Sequence, residues 1–173
     1  MIKIPKDFVA FDLETTGFAP PCKILEIGAV KVINYKIIDE FQTFVDPCCI
    51  IPKHITEING INQQMVSNAP EIGDALPLFL KFIGSLPIAA HNASFDMKFI
   101  NHEGMKLGCR ITNKVIDTLA LSRRHYPRLE NHKLNTVARH LGVINKLEHR
   151  GLYDAMVVAE IMIKMSQDDK QVV

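Results

Sequence analysis

The stretch FVAFDLETTGF, residues 8–18, decides the fold of this chain. Its apolar start predicts a buried β-strand, and Asp12 and Glu14 lie two positions apart at the end of that strand. Side chains two positions apart on a strand point to the same face, so both carboxylates aim at one place. Burying two carboxylates together costs free energy unless a positive group lies between them. The stretch therefore predicts a strand that carries a pair of acids to a cation.

A divalent cation is the natural partner of this pair, because oxygen-only ligands suit Mg²⁺ or Mn²⁺ better than zinc. Two further acids support this interpretation. Asp96 opens a predicted helix in HNASFD, and Asp154 lies in the apolar run LYDAMVV, five residues after His149. Each feature also has an ordinary explanation when taken alone: surface acids at a frayed strand end, an acid that complements a helix dipole, or an acid at a helix start.

Composition bounds the class of protein. The chain has 173 residues, 47% of them hydrophobic, which predicts a single domain over residues 1–173 with its core at about 7–165. The net charge is +1, and setting the four negative charges of these acids aside leaves +5 on the rest of the chain. Such a modest basic balance suits contact with a nucleic-acid backbone.

The compartment is also indicated by the sequence. The four cysteines lack the spacing of a zinc site and are typical of free thiols in a reducing environment. The start MIKIPKDF lacks the apolar run of a signal peptide, and no apolar run approaches the roughly 20 residues of a membrane span. We therefore expect a cytoplasmic protein with no membrane partner.

Hydrophobic periodicity predicts strands first and then strands alternating with helices. The strands are expected at 7–13, 24–34, 35–47, 86–91 and 115–116, and the helices at 68–84, 94–106, from 118 onward, within 132–143 and at 152–166. Asn34 marks a tight turn, and Asn68 is the expected cap of the first helix. This order predicts an α/β domain with a mixed sheet covered by helices.

The three acid-bearing segments, in this order, resemble the histidine-bearing branch of the DEDD 3′–5′ exonucleases, which includes the DNA polymerase III epsilon-type proofreading exonucleases. FDLETTG is similar to the first motif of that family, HNASFD to the second and HRGLYD to the third. The connecting segments HITEINGI, IDTLALSR and HKLNTVARHLGV are similar as well, so the resemblance covers residues 7–165.

This resemblance implies a ribonuclease H-like fold, with a mixed five-stranded sheet and helices on both faces. It implies hydrolysis of phosphodiester bonds at the 3′ ends of single-stranded or frayed DNA, with release of nucleoside monophosphates and two cations, Mg²⁺ or Mn²⁺. By resemblance, Asp12 bridges both cations, Glu14 and Asp154 help to hold the one that binds the attacking water, and Asp96 holds the other through a water molecule. His149 is the implied general base, because an imidazole titrates near neutral pH.

The resemblance also implies a set of substrate-binding residues. Thr15, Thr16 and Gly17 are expected to approach the terminal nucleotide through backbone groups. Phe18 and Ile58 are expected to make apolar contacts with the terminal bases, and Asn92 is expected to contact the same nucleotide. For Phe18 and Ile58, core packing is the alternative.

Several other polar residues receive less specific interpretations. His91 is expected to be structural and Asp117 to cap a helix. The remaining histidines are expected on the surface without partners: His54, His102, His125, His132 and His140. One basic segment either flanks nucleic acid or is a solvated face, and its charges are Arg123, Arg124, Arg128 and Lys133.

Two alternative functions stay open at this point. The chain could trim RNA 3′ ends, because relatives of this type also act on RNA, or it could be a catalytically silent module that binds a polymerase or nucleic acid. A DNA polymerase is a possible partner, although no segment identifies one.

Overall fold

A five-stranded mixed sheet organises the molecule. The computed structural model describes residues 4–145 and 147–171, and it describes side chains as far as Gln167. The strands are β1 (Phe8–Thr15), β2 (Ile24–Ile33), β3 (Lys36–Phe44), β4 (Ile88–Ala90) and β5 (Val115–Asp117). Their spatial order is β3-β2-β1-β4-β5. The predicted fold class is therefore confirmed.

The two halves of the sheet are connected differently. β1 and β3 both pair antiparallel with β2, whereas β4 runs parallel to β1 and to β5. Asn34 and Tyr35 turn between β2 and β3 with φ of 51° and 61°, and two successive positive φ angles are typical of the tight hairpin turn expected there.

Helices cover both faces of this sheet. They are α1 (Lys53–Asn59), α2 (Gln63–Val66), α3 (Ile72–Ile83), α4 (Ala93–Lys106), α5 (Thr118–His125), α6 (Leu134–His140) and α7 (Gly151–Gln171). The sequence did not predict α1 and α2, because helices of 7 and 4 residues are too short to show a clear apolar period. The last helix was predicted to end at residue 166, but α7 continues through Gln171, and Val172 and Val173 lie outside the described residues.

The predicted start of the first long helix is wrong. The helix begins at Ile72 rather than at residue 68, and its N-cap is Glu71 rather than Asn68. The reason is local pairing: the carbonyl of Pro70 accepts a hydrogen bond from the Asp46 N–H, and Asp46 forms an isolated β-bridge with Glu71. Residues 68–71 therefore run past the sheet edge before the helix starts.

Alternation along β1 divides the core between the two faces of the sheet. Phe8 and Ala10 pack in one buried cluster with residues of α5, α6 and α7. Val9, Phe11 and Leu13 pack in a second cluster with residues of α3 and α4. The period of two that predicted a strand thus also buries β1 on both faces.

The start of α7 lies directly on β2. Gly28 of β2 touches the backbone of the first residues of α7, since a Cβ on Gly28 would lie 2.1 Å from the carbonyl carbon of Gly151 and from the nitrogen of Leu152. Gly28 pairs with Asp12 in the sheet register. This close approach brings the start of α7 against the strand that carries the acids.

We predict that Gly28→Ala lowers the free energy of unfolding by at least about 2 kcal/mol, because the added methyl meets backbone that has to move away. Urea denaturation would measure the change. Gly73→Ala is the matched control, since its Cβ would meet only Leu107 Cδ2 at 3.9 Å. In an exposed helical position that control should be neutral or stabilising. Equal stability of wild type and Gly28→Ala would contradict the packing argument.

Candidate active site

A cleft of about 210 Å³ opens at the carboxyl end of β1. Its lining combines acids, one histidine and apolar side chains: Asp12, Leu13, Glu14, Thr15, Gly17, Phe18, Ile55, Ile58, Asn59, Phe95, His149 and Asp154. It lies where the carboxyl ends of the parallel strands meet, a common place for the active site of an open α/β sheet.

Two elements deliver three of the predicted acids to this edge. β1 carries Asp12 and Glu14, which share a face of the strand. Glu14 is held by Asn59 at the end of α1, whose Nδ2 donates to Glu14 Oε2 at 3.2 Å. Asp96 lies in the first turn of α4, only 2% exposed, and its Oδ1 accepts the backbone N–H of Leu13 at 3.2 Å. Asp96 thus lies at the back of the site rather than in its lining.

The fourth acid and the histidine come from the start of α7 and the loop before it. Asp154 Oδ1 accepts from Asn145 Nδ2 at 2.6 Å, and Oδ2 accepts the backbone N–H of His149 at 3.0 Å. One ligand atom each of Glu14, His149 and Asp154 lies within 4.8 Å of the other two. The carboxylate oxygens of Glu14 and Asp154 fit a divalent cation such as Mg²⁺ or Mn²⁺, and the His149 ring lies beside them.

The four carboxyls are electrostatically costly without a cation. Burial raises the pKa of Asp12 well above its usual value, and the neighbouring Asp96, Glu14 and Asp154 raise it further. Burial likewise raises the pKa of Glu14 to about 7 and that of Asp96 to about 8, although hydrogen bonds partly oppose both shifts. Burial also raises the pKa of Asp154, against the hydrogen bond from Asn145. The site therefore lacks positive charge, which bound cations would supply.

The expected substrate-binding residues divide into two groups. Phe18 is 77% exposed and Ile58 52% exposed, and both line the cleft, so the core-packing alternative is wrong for them. Thr15 and Gly17 also line it. Thr16 and Asn92 do not, and Thr16 Oγ1 instead accepts the backbone N–H of Lys23 at 2.8 Å.

Gly17 and Asn92 also have structural roles that are independent of any contact with substrate. A Cβ on Gly17 would lie 2.5 Å from Cys22 Sγ, which would have to move, so packing in the turn after β1 already favours a glycine. Asn92 has a φ of 61° at the start of α4 and donates its backbone N–H to Asp117 Oδ1 at 3.0 Å. Asp117 Oδ1 also accepts from Leu119 N–H, which confirms Asp117 as a helix cap.

The histidine predictions were right for His91 and wrong for others. His91 is structural, as expected: Nδ1 lies 3.0 Å from Thr118 Oγ1 and Nε2 lies 2.8 Å from the His132 carbonyl oxygen. His132 was expected on the surface, but it is half-buried, with Nδ1 3.1 Å from Ser122 Oγ. His125 Nδ1 also has a partner, the Leu121 carbonyl oxygen at 2.9 Å. For His132 the cause is tertiary, because the loop after α5 folds back onto that helix. For His125 the cause is local, because its partner lies four residues earlier in the same helix.

Sequence reasoning missed a buried ion pair beside the site. Glu26 of β2 is fully buried and pairs with Arg150, the residue after His149, with Nε 3.2 Å from Oε2. The signal was present, since an acid within the apolar run ILEIGAV needs a partner for the same reason as Asp154. Asn59 and Asn145 were missed as well, and nothing in their local sequence marks them as partners of Glu14 and Asp154.

Comparison with known proteins shows the family to which this chain belongs. A family model described as Exonuclease matches residues 9–162, so the chain belongs to this family, and the predicted exonuclease class is confirmed. Members of the family depend on divalent metal ions.

The chain is similar to a segment of bacterial DNA polymerases and to an exonuclease of known structure. The DNA polymerase III PolC-type of Caldanaerobacter subterraneus subsp. tengcongensis is 48% identical over 160 residues, and that of Clostridium perfringens is 47% identical over 157 residues. The alignments cover 92% and 90% of this chain but only 11% of each polymerase. The structure of Exonuclease X in complex with 5′ overhanging duplex DNA is 28% identical, with a TM-score of 0.79, and the match covers 94% of this chain and 92% of that one.

Within the described part of the chain, residues 4–145 and 147–171, no helix combines the length and the apolar character that crossing a membrane requires.

We predict that the metal-free protein loses stability as pH rises. Glu14 and Asp96 have ordinary pKa values of 4.5 and 3.8, which folding raises to about 7 and about 8. A group whose pKa is raised by folding contributes stability below its unfolded pKa, and this is lost as pH rises through its folded pKa. The free energy of unfolding in chelator should therefore fall between about pH 4 and about pH 9.

Urea denaturation at several pH values in this window, with and without Mg²⁺, measures the effect. The fall should be shallower in Asp96→Asn and unchanged in Asp74→Asn, because Asp74 is exposed on α3. A metal-free profile that stays flat or rises with pH would refute the electrostatic account of the cluster.

Proposed function

We propose that this chain is a divalent-metal-dependent 3′–5′ exonuclease that hydrolyses the terminal phosphodiester of single-stranded or frayed DNA and releases nucleoside monophosphates. The observation that carries the proposal is the gathering of four acids and one histidine at one open cleft: Asp12, Glu14, His149 and Asp154 line it, and Asp96 lies buried against β1 behind it. A module that only binds DNA or a polymerase has no use for four acids that destabilise one another.

The residues of the cleft have distinct proposed roles. Asp12, Glu14, Asp96 and Asp154 would hold two cations, Mg²⁺ or Mn²⁺, which when bound supply positive charge against the charge that develops on the phosphate. The side chain of His149 is exposed at the mouth of the cleft, where it can take a proton from the attacking water. The water oxygen then bonds to phosphorus while the bond between phosphorus and the 3′-oxygen of the preceding nucleotide breaks, and that oxygen takes a proton from solvent as it leaves.

Two comparisons support DNA as the substrate. The curated relatives are DNA polymerases, and the Exonuclease X structure contains DNA. Because the chain spans 11% of the length of those polymerases, association with a DNA polymerase and a role in replication or repair are further proposals. A cytoplasmic location stays a prediction.

The proposed contact with the substrate end rests on apolar exposure. Phe18 lies after β1 and Ile58 lies in α1, and both line the cleft. Both side chains expose a large apolar surface to water. Stacking of bases against such side chains suits single strands without sequence preference. Thr15, Thr16, Gly17 and Asn92 are proposed to contact the same nucleotide, the first three through backbone groups.

We predict that His149→Ala lowers the single-turnover cleavage rate about 10²- to 10⁴-fold, because the general base is lost. DNA binding should change little. Rapid-quench assays on end-labelled single-stranded DNA would measure the rate. His140→Ala is the matched control, since His140 is exposed on α6. A His149→Ala rate equal to that of wild type would exclude the role of His149 as general base.

We predict that Asp12→Asn abolishes cleavage and weakens binding of Mn²⁺, because an amide cannot supply the carboxylate charge. Calorimetric titration and the same cleavage assay measure both effects.

Assays on single-stranded DNA, on duplex DNA with a mismatched 3′ end and on RNA, each with Mg²⁺, Mn²⁺ or chelator, test the substrate class. Preference for RNA would replace the proposed substrate, and inactivity on all three would favour a binding module.

We predict that Phe18→Ala raises KM for single-stranded DNA about 5- to 150-fold, the equivalent of about 1–3 kcal/mol of lost base stacking. Ile58→Ala should raise KM by a smaller factor, because isoleucine has no ring on which a base can stack. Ile38→Ala is the control, because Ile38 is 60% exposed on β3, outside the cleft lining. Steady-state kinetics distinguish this effect from a loss of kcat. An unchanged KM in both variants would remove these side chains from the substrate site.

A further inference from the structure

Glu26 is a buried carboxylate outside the proposed set of metal ligands. It lies on β2 opposite Glu14 of β1, with no exposed surface. Its oxygens accept hydrogen bonds from Arg150 Nε at 3.2 Å, Arg150 Nη2 at 3.3 Å and the Gly151 N–H at 3.2 Å. Gln42 of β3 also donates to it. The carboxylate therefore gathers four donors at the point where α7 begins.

Arg150 links this carboxylate to the segment that carries His149. Its guanidinium contacts both oxygens of Glu26 and lies 5.4 Å from the centre of the Phe44 ring. A two-point contact of this kind restricts direction as well as distance, which a single ammonium group does not do. Because Arg150 directly follows His149 in the chain, the ion pair restrains the backbone of His149 from its carboxyl side.

The backbone of His149 has a conformation that contacts with neighbouring residues must stabilise. Its φ is 57°, a left-handed conformation that costs free energy for a residue with a side chain, and its side chain is exposed. On the amino side, its backbone N–H donates to Asp154 Oδ2. Among the described residues, this backbone is held by the contact with Asp154 on one side. On the carboxyl side it is held by the Arg150 side chain and the Gly151 N–H on Glu26, and by the Asp154 N–H on the Arg150 carbonyl oxygen.

We propose that the Glu26–Arg150 ion pair positions His149 for proton transfer, so that Glu26 and Arg150 are positioning residues for cleavage. This inference rests on the proposed function of His149. Glu26 lies opposite Glu14 on the paired strands β2 and β1. Through Arg150, Glu26 would then hold the backbone of His149 in place beside that acid. Loss of the pair leaves the acids and His149 in the chain but lets the loop move, and small displacements of a base are costly in rate.

The test compares variants in single-turnover cleavage of end-labelled single-stranded DNA with Mg²⁺. Arg150→Met should lower the rate about 10- to 100-fold while KM changes less than about threefold. Arg150→Lys should give an intermediate rate, because it keeps the charge but not the two-point contact. Arg139→Met, which changes an exposed arginine on α6, should keep the wild-type rate.

A role through His149 is distinguished from a general structural role by a double-mutant cycle. In the His149→Ala background, Arg150→Met should lower the residual cleavage rate by less than about threefold, because the side chain that Arg150 positions is absent. An equal loss in both backgrounds would overturn the proposal, as would a wild-type rate in Arg150→Met.

Folding needs its own control, since removing Arg150 alone leaves a buried charge without its partner. The double variant Glu26→Gln/Arg150→Met buries no unpaired charge and should fold, as monitored by circular dichroism, yet should cleave as slowly as Arg150→Met. A wild-type rate in the double variant would overturn the proposal. Failure of the proposed function looks different: wild type would not cleave DNA, or His149→Ala would cleave normally.

Discussion

Mutual repulsion among four closely placed carboxyls, of which Asp96 and Asp154 are buried and Asp12 and Glu14 half-buried, is the constraint on which the rest of this structure depends. Asp12, Glu14, Asp96 and Asp154 come together in a region where burial alone favours their neutral forms, and each ionised neighbour adds to that preference. Such a cluster persists in a folded protein only where the surrounding structure holds it and a cation offsets it. The surrounding donors hold the acids in place but bring too little positive charge to neutralise them.

The sheet order explains how residues distant in sequence meet. β1 lies between antiparallel β2 and parallel β4, so the carboxyl ends of β1 and β4 open at the same edge. α4 starts at that edge and brings Asp96, while α7 starts on β2 at Gly28 and brings Asp154. The absence of a side chain at Gly28 sets the distance between α7 and the sheet, and hence the distance of Asp154 from the acids of β1.

The predicted elements and the missed ones differ in the range of the interactions that define them. β1, α4 and α5 follow from local apolar periods and a local cap at Asp117, and these predictions agree with the structure. The start of α3 was misplaced because a bridge from Asp46 to Glu71 keeps residue 68 out of the helix. The surface prediction for His132 failed for a related reason, since its partner Ser122 lies on a helix that the loop folds back to meet.

The sequence by itself determined the fold class, because strand alternation and helical periods are local patterns with direct physical meaning. It also marked the candidate acids, although each had an ordinary explanation alone and only the order of the three motifs, through their resemblance to a known family, joined them into one proposed site. Only the tertiary structure decided which groups surround those acids: the amide of Asn59 at Glu14, the exposure of Phe18 and Ile58 in the cleft, and the pairing of Glu26 with Arg150. Glu26 and Arg150 are 124 positions apart. Their contact depends on how α7 packs on β2, and no local pattern of residues encodes that packing.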